Sequence, residues 1–593
     1  MCGFIIAYSK RSPLKPKQCI RSLRNLDKRG PDFSYHNFLL NDHLFFGQTV
    51  LSITGSPTKE IDNYYISKSH GKILAFNGEI YNFRQLDNEL LEPRGFKSKT
   101  GTDTETLINL HDHVSSSEVF ETLNGMYSYV VVDAKNQEIT IGRDPIGEKF
   151  CYVYENNNYL LIASEVLPIL EFVHPEIDCL LLKEYFNTRH LLTDKRTSFQ
   201  NIKVVPAGTL TSISLKSYRR RLLFKRTIDT FISESVYREY NHLNKQEIET
   251  YFDSILESNA RKLLPNNINR SIVISGGIDS SLGAHYLNQA IITDRKDRGS
   301  NHFIGLTFGA KDLVAKQLPL FSKRLGVNID IQPISLQNYA ECLKDCLTVA
   351  CSPLPTHSFV SQSLLAQCAR SQNSKVLIGG EGADELFGGY EQYTDFPVAP
   401  NITTNPSAYS GYISVEPRFD SHTSSRAASL DDEWRESINA YSFLEDSKEK
   451  VFQAALLTDS RIQLESVGIR SADTASMMHS VESRSFYLSE EMIKFALNLP
   501  IKYKLKPGQA GDKTRTKPIL KELFAEKYSR DLIFQKQGFS GFPNEAGRVL
   551  TNENYQLAKD VLELTNENTQ TILSSRSMEW KLQNVELFLR TYG

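Results

Sequence analysis

Short apolar or alternating segments, separated by turn residues, fill the first 210 residues of the chain. Segments of this length and spacing are typical of β-strands. They predict strands at Gly3–Tyr8, Leu44–Ile53, Lys72–Phe76, Met126–Asp133, Glu138–Gly142 and Phe150–Tyr154. Apolar residues at helical spacing predict two helices among them, near Lys17–Asp27 and Thr104–His113. We therefore expect residues 2–210 to form a strand-rich α+β domain.

The pattern changes near residue 246, where apolar strands begin to alternate with helical stretches. This alternation predicts a parallel sheet with crossover helices, which is an α/β domain spanning 246–593. The predicted strands are Ser271–Ile274, His302–Phe308, Asp330–Pro333 and Val376–Gly379, and the predicted helices are Lys245–Leu264, a helix from Ser280, Leu313–Leu325 and Phe359–Ser371. The rest of this domain reads as mostly helical.

Two polar stretches interrupt these patterns. Residues 211–245 are polar and irregular, and we interpret them as a linker between the two domains. Residues 395–435 are rich in Ser, Thr, Asn and Pro, which predicts a loop or lid.

Composition narrows the class of protein. A chain of 593 residues exceeds one ordinary core, and 40% hydrophobic with 23% charged residues is typical of a globular protein. The net charge of −2 gives no basic field, so we expect no nucleic-acid partner. No stretch of about 20 apolar residues predicts a membrane span. The basic residues follow the first apolar run, which is the wrong order for a signal peptide, so we expect a cytoplasmic protein.

The eight cysteines are dispersed and contain no C-x-x-C pair. This spacing argues against structural zinc and against a disulfide framework. Cys2 is different because it follows the initiator methionine directly. After removal of that methionine, its α-amine, with an ordinary pKa of about 7.7–8.0, can act as the base for its own thiol. Alone, a cysteine at this position is more often an ordinary small residue.

Turn-like segments downstream strengthen the catalytic interpretation of Cys2. Any one of them could be an ordinary turn. In order along the chain they are Arg29–Asp32, Asn77–Asn82 and Gly101–Glu105, and a further segment from Leu123–Tyr127 through Gly142–Gly147 extends the pattern. Together with Cys2-Gly3 they resemble the glutaminase domain of class II glutamine amidotransferases over roughly the first 170 residues. The resemblance implies an Ntn-type αββα sandwich.

The resemblance also implies the roles of the site residues. Cys2 would attack the side-chain amide of glutamine, and Asn77 with the Gly78 N–H would hold the tetrahedral oxyanion. Asp103 would pair with the substrate ammonium, and Glu79 would help to position it. In this family an arginine usually precedes Leu-Ser-Ile and binds the substrate α-carboxylate. Val50 stands there instead, and no arginine lies between Arg29 and Arg84.

A second chemical motif runs from Val273 to Ser281 as a buried strand, a glycine turn and a helix start. The backbone N–H groups of such a turn form an anion site, although a plain strand–turn–helix junction would share part of the pattern. The motif resembles the S-G-G-x-D-S loop of ATP pyrophosphatases. The resemblance implies ATP as a substrate and Asp279 as a ligand of Mg²⁺. The implied ATP-binding residues are Ile274, Ser275, Gly276, Gly277, Asp279, Ser280, Ser281, Gly379 and Gly380.

An acidic glycine-rich loop follows the strand Val376–Gly379. Its sequence, Gly380–Tyr390, matches the G-E-G-x-D-E-x-F-G-G-Y motif of asparagine synthetases. Carboxylates this close together repel each other unless a cation or a base role uses them. By that resemblance Asp384 shares the metal with Asp279, and Glu381 is a general base that accepts a proton from ammonia. A solvated acidic turn is the simpler alternative.

Later segments extend the resemblance to glutamine-hydrolysing asparagine synthetases across most of the chain. They are Arg470–Leu488, which resembles a helical segment of the family, Thr516–Lys521 and Lys536–Phe539. By this resemblance, Lys517 would contact the phosphates of ATP. Three places depart from the usual sequence of this family. Ala350–Ser358 lacks the acidic residues that the family usually has near the acceptor site. Gly379 stands where the family usually has a serine, and Ser485–Ser489 stands in place of the usual Val-Pro-Phe-Leu-Asp.

The interpretation is glutamine-dependent, ATP-dependent amidation of a carboxylate through an acyl-adenylate. Aspartate is the leading acceptor, and a sugar uronate or a secondary-metabolite acid is the main alternative. An adenylating cyclase resembling β-lactam synthetase, and a non-catalytic sensor of glutamine or nucleotide, remain further alternatives. We expect small-molecule substrates and a possible homodimer.

Overall fold

The computed structural model describes residues 2–53, 71–188, 195–265, 267–294, 299–308, 313–394, 424–509, 511–533 and 541–593. The chain divides into two compact units. The first comprises Met1–Glu176, Lys195–Ile228 and Met477–Ser480, and the second comprises Ile177–Asp194, Asp229–Ser476 and Val481–Gly593.

Two antiparallel sheets form the centre of the first unit. In the described residues, one has the strand order β2-β3-β1-β8-β7-β9 and the other the order β11-β10-β6-β5-β4. The strands of the first sheet are β1 (Cys2–Ser9), β2 (Phe33–Leu39), β3 (Leu44–Val50), β7 (Tyr152–Glu155), β8 (Tyr159–Ala163) and β9 (Ile202–Val204). Those of the second are β4 (Lys72–Ile80), β5 (Gly125–Asp133), β6 (Glu138–Arg143), β10 (Thr209–Ser214) and β11 (Arg220–Lys225).

Apolar side chains from the facing sides of both sheets build one core, in which Phe4 and Phe46 of the first sheet meet Val130 and Ile141 of the second. Alternation along each strand supplies this face. The outer side of β4 and β5 is covered by helices that bury Leu107 and Phe120. The helices of this unit are α1 (Pro16–Arg24), α2 (Phe83–Leu86), α3 (Asp103–His113), α4 (Ser116–Thr122) and α5 (Leu167–Leu170). Helices α1 and α5 pack beside the first sheet. The predicted αββα sandwich is confirmed.

Residues 211–245, which the polar sequence predicts to be irregular, contain regular structure. Strand β10 ends at Ser214, β11 pairs with it in antiparallel fashion, and a helix follows at Glu234–His242. Strand β11 is the edge of its sheet and is largely exposed, with Arg220 and Arg221 in it. An exposed edge strand needs no apolar face, and that explains why its sequence resembles a loop.

A parallel sheet organises the second unit, as predicted. Its strands are β12 (Arg270–Val273), β13 (Asn301–Thr307), β14 (Ile329–Pro333), β15 (Val376–Gly379) and β16 (Glu482–Ser485), in the order β14-β13-β12-β15-β16. Every pairing between neighbours is parallel. The chain moves outward from β12 in one direction and later returns to add β15 on its other side. The loops after β12 and β15 therefore meet at a topological switch point, where α/β proteins place their ligands.

Helices surround this sheet and make up the rest of the unit. They are α6 (Cys179–Asn187), α7 (Glu234–His242), α8 (Lys245–Leu263), α9 (Ile278–Thr293), α10 (Leu313–Leu325), α11 (Leu336–Ala350), α12 (Ser358–Ser371), α13 (Ala383–Phe387), α14 (Ser424–Ala440), α15 (Ser447–Asp459), α16 (Arg470–Met477), α17 (Glu490–Asn498), α18 (Pro518–Lys527), α19 (Pro543–Thr551), α20 (Gln556–Leu562), α21 (Asn566–Leu573) and α22 (Arg576–Tyr592). A π-helical segment, Ser460–Ile469, joins α15 to α16.

Two sequence expectations differ from the structure here. The predicted loop 395–435 lies outside the described residues up to 423, but from Ser424 it is helix α14, which buries Leu430 and Trp434 one turn apart. The segment Arg470–Leu488, expected to be helical, is helix only to Met477 and then supplies strand β16. Within the described residues no helix is both long and apolar enough to cross a membrane.

Candidate active sites

Cys2 begins β1 and is buried, as is Asn77 in β4. The Cys2 main-chain nitrogen donates a hydrogen bond to Asn77 Oδ1 over 3.3 Å. Asn77 Nδ2 is also buried and has no hydrogen-bond partner among the described residues. An amide N–H group that makes no hydrogen bond beside a buried thiol is available to donate to a developing oxyanion. The structure thus brings these two predicted residues together.

The other predicted glutamine-site residues lie at the same end of β4. Gly78 has a φ of +144°, and a Cβ there would overlap the Met126 carbonyl, so β4 approaches β5 too closely for any side chain. Asp103, the first residue of α3, accepts hydrogen bonds from the Ile80 and Thr104 N–H groups at 3.1 and 2.8 Å. Burial, and then the negative charge of Glu79, raise the pKa of Asp103 to about 7.

A buried amide that the sequence motifs do not include also contacts this site. Gln48, in β3, is fully buried and bonds to the main chain of Phe76 in both directions, at 2.9 Å to its carbonyl and 3.2 Å from its N–H. It therefore fixes β4 immediately before Asn77. Burial raises the pKa of the Cys2 thiol, although hydrogen bonds from the Leu51 N–H and the Gln48 side chain lower it.

Val50 lies directly opposite Cys2 in the pairing of β3 with β1. An arginine at this position would thus be next to the nucleophile. Arg29 does not replace it, because its Nε donates to the Cys2 carbonyl at 3.2 Å and its Nη1 to Glu165 at 2.9 Å. Arg29 instead fixes the main chain of the nucleophile.

The glycine loop of the second unit has the predicted strand–turn–helix form. Ile274 follows β12 and is buried, Gly276 has a φ of +78°, and α9 starts at Ile278 with Gly277 as its N-cap. The Ser275 and Ser280 hydroxyls bond to each other at 2.8 Å, so they brace the turn in this structure. Ser281 is fully buried in the first turn of α9.

Asp279 of the glycine motif and Asp384 of the acidic loop both contact one lysine, Lys517. Lys517 Nζ lies 2.8 Å from Asp279 Oδ2 and 2.6 Å from Asp384 Oδ1. Lys517 is buried, and burial alone would lower its pKa, but the two carboxylates outweigh burial and raise the pKa of this amine. Lys517 is therefore a cation placed between the two residues predicted to bind metal.

Backbone geometry fixes this cluster. Lys517 has a φ of +49°, unusual for a residue with a side chain, and its N–H donates to the Lys504 carbonyl at 2.9 Å. A Cβ on Gly389 would overlap both Asp384 and Lys517. Gly380 is likewise close to the glycine loop, since a Cβ there would lie 3.4 Å from the Ser280 nitrogen.

Glu381 occupies a separate buried position beside Gly379. Gln362 of α12 donates to Glu381 Oε1 at 2.6 Å. A Cβ on Gly379 would overlap the Glu381 carboxylate, so the glycine that replaces the usual serine makes room for this carboxylate. Burial raises the pKa of Glu381, while the bond from Gln362 acts in the opposite direction. Neither Gln362 nor this role of Gly379 is evident from the motifs.

Two family descriptions match this chain, each over a different part of it. Residues 1–222 match the family described as "Glutamine amidotransferase domain", and residues 251–587, more than half of the chain, match the family described as "Asparagine synthase". The chain belongs to the asparagine synthase family. It is an enzyme of the glutamine-hydrolysing amidotransferase type.

Named relatives share modest sequence identity with this family member. "Asparagine synthetase [glutamine-hydrolyzing] 3" of Bacillus subtilis is 24% identical over 98% of this chain and 93% of its own length. "Asparagine synthetase [glutamine-hydrolyzing]" of Cricetulus griseus is 23% identical over 67% of this chain and 68% of its own length. "Amidase chry2" of Gibberella zeae is 26% identical over 66% of this chain and 60% of its own length.

Membership of the asparagine synthase family implies ATP as a substrate, and ATP is commonly bound together with Mg²⁺. Within the described part of the chain, no group of three or more His, Cys, Asp or Glu side chains could hold a metal ion. Asp279 and Asp384 are two carboxylates joined by one cation, and Asp279 Oδ1 is buried without a hydrogen-bond partner among the described residues. Mg²⁺ is commonly held by one or two carboxylates together with substrate phosphates, so these residues fit it. The motif Lys536–Phe539 lies outside the described residues.

Proposed function

We propose that this protein converts a carboxylate, with aspartate as the leading acceptor, into its amide with glutamine as the nitrogen donor and ATP as the energy source. The observation that carries the proposal is the Asp279–Lys517–Asp384 cluster at the switch point of the parallel sheet. A buried lysine between two carboxylates is suited to a site that alternately holds and releases a highly charged phosphate group.

In the proposed reaction the acceptor carboxylate attacks the α-phosphorus of ATP and pyrophosphate leaves. Asp279 and Asp384 would hold Mg²⁺, which would neutralise charge on the pyrophosphate. Lys517 would turn from its carboxylate partners toward the phosphates. Ammonia then attacks the acyl-adenylate, AMP leaves, and Glu381 accepts a proton from the attacking nitrogen. The raised pKa of Glu381 suits a base of this kind.

Ammonia would come from the first site. The Cys2 thiolate attacks the glutamine amide, ammonia departs from the tetrahedral intermediate, and water hydrolyses the resulting γ-glutamyl thioester to glutamate. Asn77 Nδ2 and the Gly78 N–H are assigned to the oxyanion, and Asp103 and Glu79 to the substrate ammonium. The unspent donor on Asn77 supports this assignment.

Another acceptor carboxylate is the second candidate. It is favoured by the room that Gly379 leaves for Glu381, at a position where asparagine synthetases usually have a serine. The name of the Gibberella zeae relative also differs from asparagine synthetase. A cyclase that joins an internal amine needs no glutaminase, and the assembled Cys2–Asn77 pair therefore argues against that alternative.

Pyrophosphate release tests the proposal. Purified protein would be given ATP, magnesium and a panel of carboxylates that includes aspartate, uronates and aromatic acids, each with and without glutamine. We expect one acceptor to give equal amounts of pyrophosphate, AMP and amide, and to depend on a nitrogen donor for the amide. Release of ADP and phosphate, or no nucleotide cleavage with any carboxylate, would refute adenylation.

A further inference from the structure

Tyr487 is a buried side chain that contacts the second site and has no role in the proposed reaction. It follows β16 and is fully buried. Its hydroxyl lies 2.9 Å from the main-chain carbonyl oxygen of Asp279. A carbonyl oxygen can only accept, so the tyrosine hydroxyl donates this hydrogen bond. Because Asp279 lies in the first turn of α9, the bond attaches the start of that helix to the chain that follows β16.

The residues on either side of Tyr487 also contact the second site. Phe486 and Leu488 are both buried. A Cβ on Gly283, within α9, would lie 3.2 Å from the Phe486 ring, and a Cβ on Gly382, in the acidic loop, would overlap Leu488. Three consecutive residues therefore pack against α9, bond to its first turn and pack against the acidic loop, in that order.

These contacts lie where the chain departs from the usual sequence of its family. Ser485–Ser489 stands in place of Val-Pro-Phe-Leu-Asp, so Phe486 stands in place of the proline and Tyr487 in place of the phenylalanine. Each replacement adds a hydrogen-bond donor, because proline has no N–H and phenylalanine has no hydroxyl. The Phe486 N–H donates to the carbonyl of Gly379, which stands in place of a serine, at 2.9 Å. The two departures from the family are therefore in direct contact.

The charges of the second site explain what such a contact contributes. Lys517 Nζ bonds to both Asp279 and Asp384, and it thereby offsets the repulsion between the two carboxylates. In the proposed reaction Lys517 turns toward the phosphates, so the two carboxylates need other contacts to stay in place. The Asp384 carbonyl accepts a hydrogen bond from the Gly389 N–H at 2.8 Å. The Tyr487 hydroxyl supplies the corresponding contact to the main chain of Asp279, and this contact does not depend on the lysine.

We propose that Tyr487 is a positioning residue of the nucleotide site, whose hydroxyl holds the first turn of α9 so that the Asp279 carboxylate stays beside Asp384 when magnesium and ATP bind. This inference rests on the proposed function and deepens it. Contacts behind a metal-binding side chain commonly fix its orientation and so its affinity for the metal. Tyr487 acts through the main chain of Asp279, and its hydroxyl should therefore affect the affinity for magnesium and ATP more than the chemical step.

Tyr487→Phe removes the hydroxyl alone and tests the assignment. Pyrophosphate release would be measured in wild type and in the variant over a range of magnesium and ATP concentrations, with the best acceptor of the carboxylate panel. The half-saturating magnesium concentration and the KM for ATP should each rise by about 2- to 10-fold, which corresponds to the loss of one net hydrogen bond. At saturation kcat should stay within about twofold of wild type, and glutamine hydrolysis should be unchanged.

Tyr441→Phe is the matched control. Tyr441 is also fully buried in the second unit, and its hydroxyl donates to the main-chain carbonyl of Leu497 at the same distance of 2.9 Å. Both variants should have a similar decrease in Tm, but only Tyr487→Phe should change the dependence on magnesium and ATP. Equal changes in the two variants, or no change in Tyr487→Phe, would overturn the assignment, because that is the behaviour of a hydroxyl that only stabilises the fold.

Equilibrium binding of α,β-methylene-ATP with magnesium to the full-length protein gives a readout that does not require turnover, because this analogue cannot release pyrophosphate. It should bind to Tyr487→Phe about 2- to 10-fold more weakly than to wild type or Tyr441→Phe. If this difference is found but wild type releases no pyrophosphate with any carboxylate, the positioning role stands and the proposed reaction fails. If wild type releases pyrophosphate but binds the analogue no more tightly than Tyr487→Phe does, the proposed reaction stands and the role of Tyr487 fails. Absence of analogue binding by wild type would overturn both.

Discussion

At the scale of single residues, the ionisation of Asp103 should make glutamine hydrolysis at the first site depend on pH. Its pKa is raised to about 7 by burial and by Glu79, so it is protonated and neutral below that pH. A neutral Asp103 loses its attraction for the glutamine ammonium. We expect kcat/KM for glutamine hydrolysis to fall as the pH drops below about 7, approaching tenfold per pH unit, because kcat/KM reports ionisation of the free enzyme.

The matched control is Asp103→Asn, which keeps the shape of the side chain and removes the titration. This variant should have a low kcat/KM whose step near pH 7 is absent. A profile that keeps the same step in Asp103→Asn would assign the ionisation to another group.

Val50 offers a second test at this scale, because it lies directly opposite Cys2. An arginine–carboxylate pair contributes about 1.5–3 kcal/mol, which corresponds to roughly 10- to 100-fold in affinity. We expect Val50→Arg to lower the KM for glutamine within this range and to leave the ammonium-dependent reaction unchanged. Val50→Met, of similar reach but uncharged, is the control. An unchanged or higher KM would mean that other residues already bind the substrate α-carboxylate.

Single residues were predictable where a motif marks them. Cys2, Asn77, Asp103, Asp279 and Asp384 lie in turns or at strand ends whose residue types are distinctive, and the structure brings them together in two groups. Gln48 and Gln362 were missed, since each acts through a partner distant in the chain. Interior amides of this kind resemble any other buried polar residue in a sequence.

At the scale of elements, the loop from β15 to α13 depends on Gly379. A Cβ there would displace the Glu381 carboxylate from its place beside Gln362. We expect Gly379→Ala to slow amide formation by about 10²-fold or more, the usual contribution of a positioned base, and to spare the first-turnover release of pyrophosphate. Glu381→Gln should show the same separation of the two steps. Amide formation at the wild-type rate in Gly379→Ala would contradict the role of Glu381.

Asp279 follows the loop from β12 to α9 and lies in the first turn of α9, and its substitution tests the assignment of a metal ligand there. Asp279→Asn removes the charge that pairs with Lys517 and is assigned to the metal, so pyrophosphate formation should fall by about 10²-fold or more. Glutamine hydrolysis should be unchanged. Asp253→Asn on α8, which breaks an ion pair with Lys527 of α18, is the matched control and should retain both activities. Normal pyrophosphate release in Asp279→Asn would refute the metal assignment.

Elements were predictable where hydrophobic periodicity is strong. The central strands β12, β13 and β15 were found within a residue or two of their ends. Strand β16 was not, because Glu482–Ser485 is polar and charged. Glu482 and Arg484 form a fully buried ion pair at 2.7 Å on one side of that strand, so the charges neutralise each other inside the sheet. Pairing between side chains, which periodicity cannot reveal, makes this segment a strand.

At the scale of the whole molecule, the two groups of site residues lie in different compact units, and each is assembled from residues of its own unit. The proposed division of labour follows from this separation. The first unit would supply ammonia, and the second would activate the acceptor and form the amide. Ammonium salts added to the solution should therefore replace the first unit's product without affecting the second unit's chemistry.

The most direct measurement compares the nitrogen sources in Cys2→Ala. Amide formation from aspartate and ATP would be followed with glutamine or with ammonium chloride, in wild type and in the variant. The account predicts that Cys2→Ala loses glutamine-dependent synthesis by about 10³-fold or more, since the thiol is the nucleophile, and keeps ammonium-dependent synthesis within about twofold. Equal loss of both activities, or glutamine-dependent synthesis that survives without the thiol, would contradict it.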